Sequence, residues 1–312
     1  MREYKSMKPG LSVIIPVFKS EDILPLLVKK LEEILPTLEM DYEVILVNDG
    51  SPDKSWQKIS SLSEQFSWIV GLDMMRNYGQ HNATLCGIRE AQHEIIVTMD
   101  DDLQNPPSEI PKLLDKLAEG FEVVYGVAHK RGQVWWKSRA SSIVKRAIAF
   151  VMGARSVQDI GAFRAFRTEL RQSFDSFRGS DVLIDVLLSW GTTKFTSVAV
   201  DETTREIGES NYSFLKLIKV TLLVLTSYTT IPLRIASIFG LLFTLIGFGV
   251  FIYILAVYFT VGSIPGFPFL ASLITIFSGV QLFSLGIIGE YLARIFERTG
   301  GKPAYTISTR VN

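Results

Sequence analysis

Short apolar runs alternate with longer amphipathic stretches through the first part of the chain. The runs at residues 11–16, 42–47, 68–73, 94–99 and 122–127 are rich in Val, Ile and Leu, and they read as buried strands. Between them, apolar positions recur every three or four residues. Residues 21–35 carry Ile23, Leu24, Leu27, Val28, Leu31 and Ile34 on one helical stripe. Residues 80–91 and 108–119 also read as helices, and another is predicted to start after Pro52 and Asp53, with Ser51 or Asp53 as its N-cap. A late strand is predicted at residues 194–200. Strands alternating with helices of this length predict an α/β domain, with a mainly parallel sheet covered on both faces. Such sheets bind ligands beyond the carboxyl ends of their strands.

The pattern then changes twice. Residues 130–171 hold ten Lys or Arg and only two acids. Within them, residues 135–152 have helical periodicity and open on Trp135 and Trp136, which suits either a membrane surface or a helix packed on the sheet. Between Arg234 and Glu290 there is no charged residue, and the run is broken once, at residues 262–268. The two apolar spans, about 235–261 and 269–289, each exceed the ~20 residues needed to cross ~30 Å of hydrocarbon. Lys216, Lys219 and Arg234 flank them on one side, and Arg294, Arg298, Lys302 and Arg310 on the other. The positive-inside rule then places both flanks in the cytoplasm and the uncharged turn outside. Glu290 is expected to pair with Arg294 one turn later. The polar N-terminus predicts no signal peptide and a cytoplasmic first domain.

Composition adds little to this. Net charge is zero, and the mean hydropathy of +0.26 is accounted for by the two spans. The single cysteine, Cys86, excludes an internal disulfide and a cysteine metal cluster, and its apolar surroundings predict inert packing. The first strand-to-helix turn, Pro16-Val17-Phe18-Lys19-Ser20-Glu21, has no glycine, which argues against a nicotinamide dinucleotide fold.

Candidate chemistry gathers at Met99-Asp100-Asp101-Asp102-Leu103-Gln104, at the end of the fourth strand. In an extended chain residues two apart share a face, so Asp100, Asp102 and Gln104 are expected on one side and Asp101, on the other, to be replaceable. Two carboxylates and an amide oxygen make a hard site suited to Mg²⁺ or Mn²⁺. Asp49 ends the second strand and is expected to share the site. A metal with few protein ligands commonly bridges a diphosphate, and the basic zone suits a lipid phosphate. Together these predict group transfer from a nucleotide diphosphate to a lipid phosphate.

Four segments carry a more specific likeness: Ser12-Val13-Ile14-Ile15-Pro16-Val17-Phe18, Val47-Asn48-Asp49-Gly50-Ser51, Arg76-Asn77-Tyr78-Gly79-Gln80-His81 and Asp100-Asp101-Asp102-Leu103-Gln104-Asn105-Pro106-Pro107. They resemble glycosyltransferase family 2, in its polyprenyl-phosphate subgroup of bactoprenol glucosyltransferases, undecaprenyl-phosphate aminoarabinose transferases and dolichol-phosphate mannose synthases. The stretch from Arg205 to Ser213 and the tail ending Gly289-Glu290-Tyr291-Leu292-Ala293-Arg294 resemble its bacterial branch.

The resemblance implies a GT-A type fold over residues 1–204, a juxtamembrane amphipathic region over 205–231, the two membrane helices within 232–292, and a cytoplasmic tail over 293–312. It implies a UDP-sugar donor, with a GDP-sugar less favoured, and a polyprenyl-phosphate acceptor, with no nucleic-acid partner. It assigns Pro16, Phe18, Glu21 and Asp49 to the nucleotide pocket, Asp100 to the ribose and metal, and Asp102 and Gln104 to the metal. Arg131, Arg164 and Arg205 would manage phosphate charge, and Ser210 belongs to the pre-membrane motif on the substrate side. Asp100, Asp102, Asp159 and Arg131 are the expected catalytic set. The chain is expected to be a multi-pass protein of a bacterial inner membrane and a homo-oligomer.

Three departures from the family pattern stand out. The first loop reads Lys19-Ser20-Glu21 where Asn-Glu is usual. Asn211 stands where a lysine is common. Asp159 lies two residues before Gly161 of Gly161-Ala162-Phe163-Arg164, whereas some relatives place an acid directly after that glycine. Because a phosphate monoester with a second pKa of ~6 is already mostly a dianion, Asp159 is expected to be an optional base in an inverting displacement. A processive polysaccharide synthase would carry a Gln-x-x-Arg-Trp motif and more spans, neither of which is found. A non-catalytic scaffold or flippase subunit would not need the acids.

Overall fold

The computed structural model describes residues 8–128, 161–179, 182–201, 230–262 and 266–312. The chain forms two compact units. One comprises residues 1–219 together with 301–312, and the other residues 220–300.

The first unit is built on one eight-stranded sheet in the order β7-β5-β6-β4-β1-β2-β3-β8. Its strands are β1 (Lys8–Val17), β2 (Tyr42–Asn48), β3 (Ile69–Met74), β4 (His93–Thr98), β5 (Val123–Ala128), β6 (Arg164–Arg167), β7 (Phe195–Val200) and β8 (Ile307–Val311). β1 pairs in parallel with both β2 and β4, and β2 pairs in parallel with β3. β6 is inserted antiparallel between β4 and β5, and β7 runs parallel to β5. Leu11, Val13, Ile14, Ile15 and Val17 of β1 are all fully buried, as a strand covered on both faces requires. The helices α1 (Leu24–Ile34), α2 (Ser55–Gln65), α3 (Gln80–Glu90) and α4 (Ile110–Ala118) supply the covering layers. α1 buries Leu24, Leu27, Val28 and Leu31, and α4 buries Ile110, Leu113 and Leu117, in each case along one stripe. A short helix, α5 (Ile184–Ser189), precedes β7.

Within the stretch read from sequence as a C-terminal tail, residues 307–311 form β8, which pairs antiparallel with β3 in the register Gly71↔Val311, Leu72↔Arg310 and Asp73↔Thr309. The chain therefore leaves the sheet unit, makes the second unit, and returns to close the sheet edge. An unpaired β3 edge would otherwise present a row of open backbone groups.

The second unit contains α6 (Ile231–Val261) and α7 (Phe267–Thr299), both longer than the apolar spans read from sequence. Residues 231–260 have mean hydropathy 2.5 and residues 276–296 have 1.4, so both helices are long and apolar enough to cross a membrane. The two helices touch through the Phe243 and Phe277 rings, edge to face at 6.1 Å. A Cβ on Gly247 would lie 2.9 Å from the Phe277 ring, so the glycine admits that close approach. The large side chains Leu241, Leu245, Phe259, Leu282 and Phe296 face outward, and hydrocarbon is the surrounding that suits them. Arg294 Nη2 pairs with Glu290 Oε1 at 2.9 Å, one helical turn apart.

Candidate active site

The strand order reverses between β1 and β4: the chain winds outward from β1 through β2 to β3, then crosses back to lay β4 on the other side of β1. In open parallel sheets that crevice is where ligands bind. A cavity of about 280 Å³ opens there. The end of β1 lines it with Pro16, Val17 and Phe18, the end of β2 with Asp49, the turn after β3 with Asn77, Gly79 and Gln80, and the end of β4 with Asp100, Asp101 and Asp102.

Asp49 anchors one wall. Its Oδ1 accepts the Tyr78 amide at 2.7 Å and its Oδ2 the Gly79 amide at 2.9 Å. Burial raises its pKa, and the two amides pull it back toward the ionised form. Gly50 follows at φ +59°, and a Cβ there would lie 2.4 Å from the Arg76 carbonyl carbon. Asp49 and Gly50 therefore clasp the turn that follows β3. The Arg76 guanidinium lies over the Tyr78 ring, 4.5 Å from its centroid.

The acidic loop does not follow extended alternation. Leu103 sits at φ +58° with its side chain buried, and the chain reverses there. Gln104 folds back so that its amide N–H reaches Asp102 Oδ1 at 3.1 Å and its Nε2 reaches Oδ2 at 2.9 Å. Gln104 thus orients the Asp102 carboxylate by donating to both of its oxygens. Asp100 Oδ1 accepts from Gln80 Nε2.

Asp101, expected to be replaceable, carries the opposite wall: its Oδ2 accepts the Phe18 amide at 3.2 Å and the Ser20 hydroxyl. Burial raises the Asp101 pKa, against the Ser20 and Phe18 hydrogen bonds. Glu21 is also reassigned. Its Oε2 accepts the Lys54 amide at 2.7 Å, at the start of α2, and it is not among the residues lining the cavity.

Arg164 is corrected from a phosphate contact to a buried structural cation. It is 2% exposed, its Nη1 pairs with Asp185 Oδ1, and its Nε donates to Thr98 Oγ1 at 3.0 Å. Tyr125 donates to the same Asp185 oxygen at 2.9 Å, and Thr98 donates to the Ala162 carbonyl at 2.6 Å. This network ties β4, β5, β6 and α5 together one residue short of the acidic loop. Burial lowers the pKa of His81, in the first turn of α3, and the nearby Arg164 adds to the effect against the pull of Asp185. Cys86 is fully buried and its thiol pKa is pushed up, as packing without reactivity requires. Arg131, Asp159, Arg205 and Ser210, and the basic helix read at 135–152, lie outside the described residues.

Sequence reasoning passed over Ser20, Gln80, Thr98 and Asp185. Gln80 could have been found, since it lies within the Arg76-Asn77-Tyr78-Gly79-Gln80-His81 motif, but no local pattern singles out the others. Among the described residues no group of three or more His, Cys, Asp or Glu could hold a metal ion. A cation here would have Asp100 and Asp102 as its carboxylates and would complete its shell with water and phosphate, in the manner of Mg²⁺ or Mn²⁺.

Comparison with known proteins agrees with this geometry. Residues 12–174 match the model of glycosyl transferase family 2. An undecaprenyl-phosphate 4-deoxy-4-formamido-L-arabinose transferase of Enterobacter sp. (strain 638) is 35% identical over 306 residues, covering 96% of this chain and 93% of that protein. The protein of the same name from Klebsiella pneumoniae (strain 342) is 33% identical over 301 residues, covering 95% and 92%. Among solved structures, glucosyl-3-phosphoglycerate synthase from Mycobacterium tuberculosis in complex with Mn²⁺, UDP and phosphoglyceric acid superposes with a TM-score of 0.52 at 18% identity, over 70% of this chain and 76% of that one. That likeness is one of fold, and it is the GT-A-like arrangement. With more than half of the chain matched by the family model and relatives aligned nearly end to end, the chain belongs to glycosyl transferase family 2 and is a glycosyltransferase.

Proposed function

We propose that the enzyme transfers a sugar from a UDP-sugar to the phosphate of a polyprenyl phosphate at the cytoplasmic face of a bacterial inner membrane. The observation that carries this reading is the convergence of Asp49 and Asp100–Asp102 on one cavity at the β1/β4 crevice, in a chain that also has two helices apolar enough for a membrane. The names of the undecaprenyl-phosphate transferases that match nearly end to end support the acceptor, and the UDP and Mn²⁺ named with the fold neighbour support the donor and the metal. A homo-oligomer of multi-pass chains is the form we propose.

In this reading Pro16, Phe18 and Asp49 shape the nucleotide end of the cavity. Asp49 retains acceptor capacity beyond its two backbone partners, because each carboxylate oxygen has two lone pairs. Asp100 and Asp102 would hold Mg²⁺ or Mn²⁺, which when bound supplies charge neutralisation to the leaving diphosphate. The acceptor phosphate is a dianion at neutral pH. One of its oxygens forms the new bond to the anomeric carbon as the bond to the diphosphate breaks, and the electron pair leaves with the diphosphate, so the configuration inverts. The residues must align two anions and offset their repulsion. Arg131 and Arg205 carry that role, Ser210 contacts substrate, and Asp159 orients the acceptor without being required as a base. Arg164, paired with Asp185, is left out of this set.

The test is to incubate the purified protein with undecaprenyl phosphate, Mn²⁺ or Mg²⁺, and a panel of nucleotide sugars beginning with UDP-4-deoxy-4-formamido-L-arabinose. Mass spectrometry should find a lipid heavier by one sugar residue, with UDP released. Folded protein that binds UDP but glycosylates no polyprenyl phosphate from any donor would refute the acceptor. Asp159→Asn should slow turnover by less than about tenfold, while Asp102→Ala should lose about 10²-fold or more.

A further inference from the structure

Three consecutive residues serve both ends of the cavity. The amides of Tyr78 and Gly79 hold Asp49 at the end of β2, and the next residue, Gln80, donates from Nε2 to Asp100 Oδ1 beyond the end of β4. Gln80 is exposed in the cavity lining and opens α3. Its backbone is well fastened there. Its carbonyl accepts the Thr84 hydroxyl at 2.9 Å, and the Gly79 carbonyl accepts the Asn82 and Ala83 amides at 2.9 and 3.1 Å. α3 then buries every residue from Asn82 to Ile88. A closed first turn on a buried helix opens rarely, so the Gln80 side chain has a firm base from which to hold a neighbouring loop.

The other acids of that loop are each held by a different donor. Asp102 receives the Gln104 amide and Nε2, and Asp101 receives the Phe18 amide and the Ser20 hydroxyl. Gln80 gives Asp100 the corresponding hold, and it comes from a different element, not from the loop itself. The chemistry of the donor matters. A carboxamide N–H orients a carboxylate without cancelling its charge, whereas a lysine or arginine in the same place would satisfy the acid with a cation of its own. Hydrogen bonds of this kind are what carboxylate ligands of a metal commonly receive.

We propose that Gln80 is a positioning residue for the divalent cation: it acts through Asp100, whose carboxylate it orients with the charge intact. This rests on reading Asp100 and Asp102 as the carboxylates that would hold Mg²⁺ or Mn²⁺. Removing the Gln80 amide should therefore weaken the cation and, with it, the binding of a diphosphate. The nucleotide end of the cavity should not sense the change, because Asp49 keeps its two backbone amides. Uridine has no phosphate for a cation to bridge, so it reads that end alone.

The experiment uses the full-length protein in detergent or nanodiscs, stripped of metal with EDTA. It compares wild type, Gln80→Met, Gln80→Ala, Asp100→Asn and the Gln80→Met/Asp100→Asn pair. Gln80→Met keeps the length of the side chain and removes its donor, and because Gln80 is exposed both single variants should melt like wild type. Two readouts are taken: the Mn²⁺ concentration that gives half-maximal UDP binding by calorimetry, and uridine affinity by ligand-observed NMR. Gln80→Met and Gln80→Ala should each raise the Mn²⁺ midpoint by about 10–100-fold, the range for a group that orients a metal ligand. Uridine affinity should stay at the wild-type value in both. The pair should be no weaker toward Mn²⁺ than Asp100→Asn alone, since Gln80 acts only through Asp100. The proposal is overturned by an unchanged midpoint in both single variants, by a loss of uridine affinity as large as the shift in midpoint, or by a pair weaker than Asp100→Asn. Wild type whose UDP binding gains nothing from Mn²⁺ or Mg²⁺ overturns the metal reading and this proposal with it, whereas a wild type that does respond while the Gln80 variants match it overturns this proposal alone.

Discussion

Replacing Asp101 separates the reading of the acidic loop as a metal site from its reading as a scaffold. Both donors that Asp101 receives, the Phe18 amide at 3.2 Å and the Ser20 hydroxyl, converge on one oxygen, Oδ2. Asp101→Ala removes both. A hydrogen bond to a charged acceptor contributes roughly 1.5–3 kcal/mol. Ser20 is nearly buried, so its lost bond should count in full, whereas the exposed Phe18 amide can turn to water. Relief of the buried charge returns part of the loss, leaving about 1–3 kcal/mol. At about 2–4 °C per kcal/mol for a domain of this size, the melting temperature should fall by about 5 °C. UDP affinity should weaken too, because the released turn carries Phe18, which lines the cavity. Asp101→Asn keeps an oxygen where both donors converge and should lie within about 1 kcal/mol of wild type. The pH dependence gives a second check. Burial raises the Asp101 pKa in the folded state, so the folded state binds its proton more tightly than the unfolded chain does. The resulting stabilisation is full below the unfolded value of about 4 and is lost as pH rises through the raised folded value. Wild type should therefore lose ground to Asp101→Asn across that window in a series of thermal melts. An Asp101→Ala protein that melts and binds UDP like wild type would refute the scaffold role, as would an Asn variant as damaged as the Ala one.

Gln104→Ala should lower turnover by about 10–100-fold, the range for a residue that orients a metal-binding carboxylate. Asp102→Ala should lose more, and an Mn²⁺ titration of UDP release would rank the two. Arg164→Ala leaves Asp185 buried without its cation and should destabilise the protein by about 3–5 kcal/mol. Denaturant melts would register this, and any folded remainder should keep its donor KM. Gly50→Ala forces a Cβ against the Arg76 backbone at positive φ, so it should loosen the turn after β3 and weaken UDP binding, at a stability cost of about 1–3 kcal/mol. Calorimetry with UDP would detect the loss.

The strands of the parallel core were legible because each is buried on both faces, so its residues form an unbroken apolar run. β6 and β8 were not. Arg164-Ala165-Phe166-Arg167 is four residues long, and its first arginine is buried only because Asp185, on a different element, faces it. Ile307-Ser308-Thr309-Arg310-Val311 is an edge strand with polar residues on its open face, and alone it reads like any tail. At the site, the positions of Asp49 and the acidic triplet followed from strand ends and motif order. Their partners did not. Alternation failed beyond Asp102 because Leu103 adopts a left-handed conformation to bury its side chain, and that single reversal turns Gln104 onto Asp102. Asp101 looked dispensable because its partners, Phe18 and Ser20, are more than eighty residues earlier in sequence.

The returning strand bears on the apolar helices as well. Positive flanks alone argue for sidedness by statistics, and single charges can shift such a balance. β8 makes a stricter demand. β7, which precedes α6 in the chain, and β8, which follows α7, belong to the same sheet. A sheet cannot be shared across a bilayer, since every backbone group within hydrocarbon must be satisfied locally. Strands before and after the pair of helices share one sheet, so where both helices cross a membrane they do so as a hairpin. The charge pattern and the sheet edge argue for the same topology from independent physics. Reversing the charge of Arg294, Arg298 and Lys302 should not invert a hairpin whose far end is pinned by β8. Labelling of cysteines placed at residues 263 and 308 would test this: they should report from opposite sides of the membrane in the wild-type background and remain so in the charge-reversed one, and an inverted pattern would show that the strand does not govern orientation.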